Sequence, residues 1–175
     1  TFVGNNQFNG GLTSSTDISV NSLKIGKGGG NILSNTAVGI DALLSNTTAL
    51  GNVAIGYSTL PSQQFTGNGY NTAIGYLAGN ALGSLGGAQA QLNNNTFIGA
   101  NTGNLLAIGA RNTIVGSSGM ANSNYTERNT GLGRGVLTAL GSTITNGSGS
   151  KYNTAIGHNA LFGLGSGSNN TFIHG

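Results

Sequence analysis

The feature that most constrains this chain is a short motif, Asn-Thr-x-(Ile/Val/Leu)-Gly, which recurs along most of its length. From Gly39 to Gly157, successive motif glycines are separated by 17, 19, 24, 17, 17 and 24 residues. A base period of 17 is therefore lengthened by insertions, and repetition at such a period is typical of a solenoid, in which each repeat forms one coil. The motif glycines are Gly39, Gly56, Gly75, Gly99, Gly116, Gly133 and Gly157.

The positions around each glycine are more regular than the spacing between the glycines. Four residues before the glycine, asparagine stands in every copy, and three residues before it every copy but one has threonine. The residue immediately before the glycine is Ile, Val or Leu. A further copy begins at Asn170 and has His174 at the glycine position. The repeat asparagines are Asn35, Asn52, Asn71, Asn95, Asn112, Asn129 and Asn153.

The motif predicts a short β-strand between two turns. Thr-x-Ile is an alternating, β-branched stretch that favours a strand, whereas Asn and Gly tolerate the positive φ angles that turns require. A coil of about 17 residues cannot bury its own apolar side, so we expect the coils to stack. The sequence therefore predicts an all-β fold, an elongated β-solenoid or β-roll with an asparagine ladder, about 40 Å long for eight or nine coils.

The same pattern divides the chain into three segments. We expect residues 1–17 to be the end of a preceding repeat and a connector, 18–34 to be a module that leads into the repeats, and 35–175 to be the solenoid. Insertions into the repeats are expected near 57–70, 76–94 and 134–152.

Composition argues against several classes of function. Only 5% of the residues are charged and the net charge is +3, which is no footprint for nucleic acid. The chain has no cysteine and no apolar run of membrane-spanning length. The acids Asp17, Asp41 and Glu127 have no paired spacing and are expected to be solvated, and His158 and His174 to be exposed turn residues. We therefore expect no enzyme, no cofactor, no metal site, no nucleic-acid partner and no membrane insertion.

The stretch "NTAVGIDALLSNTTALGNVAIGYSTL" (35–60) resembles the NTAIGxxAL repeats of bacteriophage tail fibres. The stretch "VNSLKIGKGGGNILSNTAVGIDAL" (20–43) resembles a module that precedes such repeats in the same fibre proteins. More distantly, "NSLKIG" (21–26) is similar to the head repeats of trimeric autotransporter adhesins. The resemblance covers roughly residues 18–175 and implies an elongated, usually homotrimeric β-solenoid on a virion or cell surface.

The direction in which the two middle columns point decides which surface is free. We expect the Ile column to point into the coil. The column two before the glycine then points outward as a trimer interface, because strand side chains alternate between faces. A stripe of apolar residues on an outer face favours a subunit interface over bare surface. This predicted outward column contains Ala37, Ala54, Ala73, Phe97, Ile114 and Ala155.

Aromatic side chains are the candidate ligand-binding residues. Tyr57 and Tyr76 both follow a motif glycine, so we expect them to stack on neighbouring coils, where their faces would suit sugar rings. Phe65, Tyr70 and Tyr125 lie in or near the insertions, and loops on a rigid scaffold are where binding residues concentrate. Packing over the coil edge is the competing interpretation for each of the five residues.

Three functions stay open at this point. The first is a structural segment of a trimeric virion tail fibre, with other fibre or virion proteins and a cell-surface polysaccharide as candidate partners. The second is a bacterial surface adhesin, or an extracellular filament whose subunits stack end to end. The third is an ice-binding solenoid, which we expect to be disfavoured because the threonines and the Ile column should both point inward.

Overall fold

The computed structural model of this chain describes residues 14–62, 69–84, 92–123, 125–140, 149–163, 165 and 167–174. This part of the chain is an all-β solenoid without an α-helix; one 3-10 turn occupies Gly29–Asn31. The strands are β1 (Ile18–Val20), β2 (Leu23–Gly26), β3 (Thr36–Val38), β4 (Val53–Ile55), β5 (Thr72–Ile74), β6 (Thr96–Ile98), β7 (Gly109–Ala110), β8 (Thr113–Ser117), β9 (Thr126–Glu127), β10 (Thr130–Arg134), β11 (Thr154–Ile156) and β12 (Thr171–Ile173).

One strand from each motif stacks into a long parallel sheet. Its order is β1-β2-β3-β4-β5-β6-β8-β10-β11-β12, and every pair from β3 onward is parallel. The register places each motif on the next, for example Thr72 on Thr96 and Ile74 on Ile98. β7 and β9 form a separate short ladder. The predicted solenoid of about 17-residue coils is therefore confirmed.

The predicted direction of the two middle columns is wrong. The residue two before each motif glycine is buried, with Ala54, Ala73 and Phe97 at 0% exposure, whereas the aliphatic residue one before it is exposed or half-buried. The reason is space: fully buried leucines such as Leu60 and Leu137 enter the coil from its turns. The volume that they leave opposite most of the strands suits a small side chain.

The interior compensates where a strand carries a larger residue. Phe97 stands in the buried alanine column, and the leucine column opposite it has glycine at positions 79 and 103. A Cβ on Gly79 would lie 3.1 Å from the ring of Phe97, and one on Gly103 would lie 2.7 Å from it. The two glycines interrupt the leucine column because the aromatic ring fills that volume. Ile114 is accommodated differently: the leucine column of its coil has the buried Met120, and the glycines that leave room for the Ile114 side chain are Gly119, next to Met120, and Gly131, in the strand of the next coil.

The predicted asparagine ladder is confirmed and runs through the buried side of the coils. The backbone N–H of Asn112 and its side-chain amide both donate to Oδ1 of Asn95, and Asn129 repeats this arrangement on Asn112. The Asn112 amide also donates to the carbonyl of Thr126, on the other side of its own coil. From Asn71 to Asn153 each repeat asparagine thus joins two coils and spans one, which satisfies groups that would be costly to bury unpaired.

The motif glycine is required by the approach of neighbouring backbones. Gly116 has φ 139°, and a Cβ there would lie 2.0 Å from the carbonyl oxygen of Gly133 in the next coil. Gly39 and Gly75 have the same geometry, with distances of 2.3 and 2.6 Å to the glycine carbonyls above them. Only a residue without a side chain allows the coils to stack this closely.

The segment before the first coil folds over its end. β1 and β2 form a hairpin, and β2 pairs antiparallel with β3, which closes that end of the parallel sheet. The Asp17 carboxylate accepts hydrogen bonds from the backbone N–H groups of Lys27 and Gly28, at 2.8 and 3.0 Å. The prediction that Asp17 is simply solvated is therefore wrong, because its carboxylate anchors the glycine-rich turn.

Candidate functional site

The outward side of the long sheet carries two regular columns of side chains, which we call the flat face. Alternation along the strands sends the residues three and one before each motif glycine to this side. Its exposed aliphatic members include Ile55 at 37% and Leu132 at 50%. The flat face consists of Thr36, Val53, Thr72, Thr96, Thr113, Thr130, Thr154 and Thr171 with Val38, Ile55, Ile74, Ile98, Val115, Leu132, Ile156 and Ile173.

Uniform chemistry distinguishes the flat face from an ordinary solvated strand surface. None of its sixteen positions is charged, in a chain with only 5% charged residues, and every position of its second column is Ile, Val or Leu. Eight coils at about 4.8 Å make the face about 34 Å long. β-propensity explains Thr, Ile and Val at these positions, but it does not explain why the column immediately before the motif glycine has no Thr or other polar residue.

A third column flanks the flat face and contains the tyrosine pair. The residues that follow the motif glycines are Ile40, Tyr57, Tyr76, Ala100, Ser117, Arg134 and His158. The rings of Tyr57 and Tyr76 stack with centroids 5.4 Å apart and planes inclined by 14°, as the spacing predicted. Both side chains are about half exposed, at 47% and 54%. The pair therefore offers an aromatic patch beside the aliphatic column.

The structure does not gather the other predicted aromatic residues around this pair. Tyr70 lies at the turn before its strand, with its ring against Gly51, and so belongs to a different edge of the coil. Tyr125 is half-buried and packs against the core. Phe65 lies outside the described residues. A ligand-binding role for these residues stays a prediction.

A cluster of charges on the opposite edge, which we call the Glu127 cluster, was missed by sequence reasoning. The side chain of Glu127 is only 6% exposed, and its Oε1 contacts Nη1 of Arg111 at 2.6 Å and Nη1 of Arg128 at 2.7 Å. Its Oε2 contacts Nζ of Lys151 at 3.0 Å. Arg128 also lies 5.2 Å above the ring of Tyr152. The prediction that Glu127 is solvated is therefore wrong.

The three cations determine the charge state of Glu127. Burial alone raises the pKa of this carboxyl, because desolvation penalises the charged form. The hydrogen bond and charge of Lys151, the charge of Arg128 and the hydrogen bond from Arg111 outweigh that effect and lower the pKa below its usual 4.5. Glu127 is therefore ionised at neutral pH.

The signal for this cluster was present in the repeat but not in the charge count. Arg111 and Arg128 are 17 residues apart, one base period, so they occupy the same position in neighbouring coils. Lys151 follows across the 24-residue interval, one position earlier in its coil. Charges that look scattered in the sequence thus meet on one edge, and aligning the charged residues by coil would have revealed them.

The described residues also include a contact between a histidine and an arginine in the column that flanks the flat face. His158 is exposed, and its Nε2 lies 2.9 Å from Nη1 of Arg134. The described part of the chain contains no group of three or more His, Cys, Asp or Glu residues suited to a metal ion. It also has no helix with the length and apolar character needed to cross a membrane. Neither a family model, nor a curated protein, nor a solved structure matches this chain.

Proposed function

We propose that this chain is a structural segment of an extracellular fibre, and that its copies associate laterally through the flat face. The observation that carries the proposal is the uniform, uncharged character of that face. With the seven residues of the flanking column it comprises 23 positions, which falls within the 20–30 residues per side of a stable protein interface.

The identity of the fibre rests on resemblance. The motif resembles tail-fibre repeats, so a virion tail fibre is the assignment that we favour, with three chains as the expected number. A bacterial surface adhesin would use the same shaft and is the alternative. In either setting a rigid solenoid supplies length, and the exposed aliphatic column supplies a surface that favours burial.

The oligomeric state in solution tests this proposal. Light scattering on the purified chain should give a trimer, and Ile98→Lys should shift it to a monomer because a charge would be buried at the contact. Leu105→Lys is the matched control: Leu105 is 52% exposed in the same coil but lies outside the flat face. A wild-type monomer at all accessible concentrations would contradict the proposal, and so would equal dissociation by both variants. Particles that grow without limit would favour a filament.

A second function is favoured by one specific observation. The flat face directs both Thr and aliphatic side chains outward in register, from Thr72 and Ile74 to Thr154 and Ile156. The expectation that these side chains point inward, which disfavoured an ice-binding solenoid, is wrong. A flat array of hydroxyl and methyl groups at a fixed spacing can order water into a lattice.

Thermal hysteresis separates the two functions, because one face cannot be buried between chains and also bind ice. If the chain binds ice, wild-type protein at low concentration depresses the freezing point below the melting point, and Thr113→Lys abolishes the effect. A fibre segment shows no hysteresis and retains its association. Hysteresis from a stable trimer would contradict this use of the face.

A further inference from the structure

We propose that the Glu127 cluster is a binding site for a phosphate or sulfate group, which Arg111 and Arg128 hold between neighbouring coils. This inference does not depend on lateral association, because the cluster lies on the edge before the strands and contains no residue of the flat face. The group can belong to a free inorganic ion or to an anionic polysaccharide, and the chemistry of recognition is the same.

The Glu127 cluster has a local excess of positive charge. Three cations contact one carboxylate, so the cluster carries a net charge of +2 in a chain whose whole net charge is +3. The remaining charges are few, so this edge dominates the electrostatic potential of the molecule. Such a concentration attracts anions from solution.

Arg111 and Arg128 have more N–H donors than their contacts with Glu127 use. A guanidinium has five N–H donors in a planar fork, and among the described residues Glu127 is the acceptor that Arg111 and Arg128 contact. Their side chains are 47% and 38% exposed, and that of Lys151 is 34% exposed. Arg111 and Arg128 lie one coil apart, about 4.8 Å along the axis, so one tetrahedral oxyanion can accept hydrogen bonds from both.

The side chains of Arg111 and Arg128 are already held in place by contacts within the chain. The buried carboxylate contacts the arginines from below, and the ring of Tyr152 lies beneath the guanidinium of Arg128. Long cationic side chains normally lose considerable rotamer freedom when they bind an anion. Here that freedom is already restricted in the unliganded chain, which favours binding.

A polysaccharide suits this edge better than a nucleic acid does. Nucleic-acid binding relies on a broad basic surface that neutralises many phosphates, whereas the cluster provides three cations. Tyr152 is 51% exposed next to Arg128, and a tyrosine ring can pack against a sugar. The arrangement therefore fits a sugar that carries one phosphate or sulfate group per contact.

Calorimetric titration of the full chain at low salt tests the proposal with three probes: inorganic phosphate, dextran sulfate and neutral dextran. We expect dextran sulfate to bind, more weakly as salt is added, and neutral dextran not to bind. Arg128→Gln should reduce the affinity about tenfold or more, Arg128→Lys should restore part of it, and Lys24→Gln should leave it within about twofold. Lys24 is the control because it is an exposed cation in β2, far along the sheet from the cluster.

The outcomes separate cleanly. Binding of inorganic phosphate with the same dependence on Arg128, and no gain from the polymer, assigns the site to a free ion. The proposal is overturned if neither phosphate nor dextran sulfate binds, or if Lys24→Gln weakens binding as much as Arg128→Gln. Backbone amide shifts at Arg111 and Arg128 in the unmodified chain provide a readout that does not depend on a variant folding correctly. Shifts confined to other coils would also overturn the proposal.

Discussion

The inward and outward columns of the same strands follow different rules. The inward column changes from alanine to Phe97 and Ile114; Phe97 faces glycine at 79 and 103 in the leucine column, and Ile114 packs beside Gly119 and Gly131. The outward columns keep Thr and aliphatic residues throughout, although solvent imposes no limit on their volume. The interior is therefore limited by volume and accommodates paired changes, whereas the flat face keeps the same chemical character from coil to coil.

The largest effect on stability is expected where the two sides meet, at the motif glycine. Gly116→Ala should destabilise the chain by about 5 kcal/mol or more, because φ 139° strains alanine and its Cβ would overlap the Gly133 carbonyl. Urea unfolding followed by circular dichroism measures the loss. Gly163→Ala is the control, since Gly163 has φ 75° with nothing within 4 Å of an added Cβ. Equal losses would show that close stacking of the coils is not the cause.

The next effect tests compensation in the interior. Phe97→Ala should cost about 3–5 kcal/mol because it leaves a cavity in a buried column. Adding Gly103→Leu to this variant restores the Ala-with-Leu pairing of other coils and should recover a large part of the loss. Gly103→Leu alone should destabilise, because its Cβ would lie 2.7 Å from the Phe97 ring. Additive losses in this double-mutant cycle would refute compensation by volume.

A smaller effect concerns the buried carboxylate on the edge. The folded-state pKa of Glu127 is lowered, so its contribution to stability is fully present above its unfolded pKa of about 4.5 and is lost as pH falls through the folded pKa. Glu127→Gln removes that titrating group, so its free energy of unfolding should fall less steeply over this acid range than that of the wild type. Identical pH slopes for the two proteins would contradict the lowered pKa.

The smallest effect on stability is expected on the flat face itself. At protein concentrations low enough to dissociate the proposed trimer, Ile98→Lys should change the free energy of unfolding by about 1 kcal/mol or less, because Ile98 is already 37% exposed. Chemical unfolding at low protein concentration measures this change. A loss as large as that of Phe97→Ala would mean that the outward column is part of the core.

The architecture could be predicted from the sequence because, in a solenoid, equivalent residues of successive repeats are the ones that pair in neighbouring strands. The Asn and Gly columns aligned the coils correctly even across insertions, and stacking then followed from the size of one coil. Alternation shows that Thr and Ile lie on one face of the strand and Ala on the other, but it does not show which face is buried. That depends on the leucines that enter the coil from the turns, such as Leu60, and on the volume that they leave. The Glu127 cluster was missed because Arg111 and Lys151 are 16 and 24 residues from Glu127 in the chain, and the stacking of the coils brings them together.

Thiol labelling of single-cysteine variants tests the central claim most directly, since the chain has no cysteine of its own. Ile74→Cys lies on the flat face, Ala73→Cys points inward, and Leu105→Cys is exposed elsewhere. We predict that the thiol at position 73 is protected at every protein concentration and that at 105 reacts at every concentration. The thiol at position 74 should react in dilute solution and become protected as the chains associate. Protection at 74 with reaction at 73 in dilute solution, or a rate at 74 that does not depend on concentration, would contradict the account.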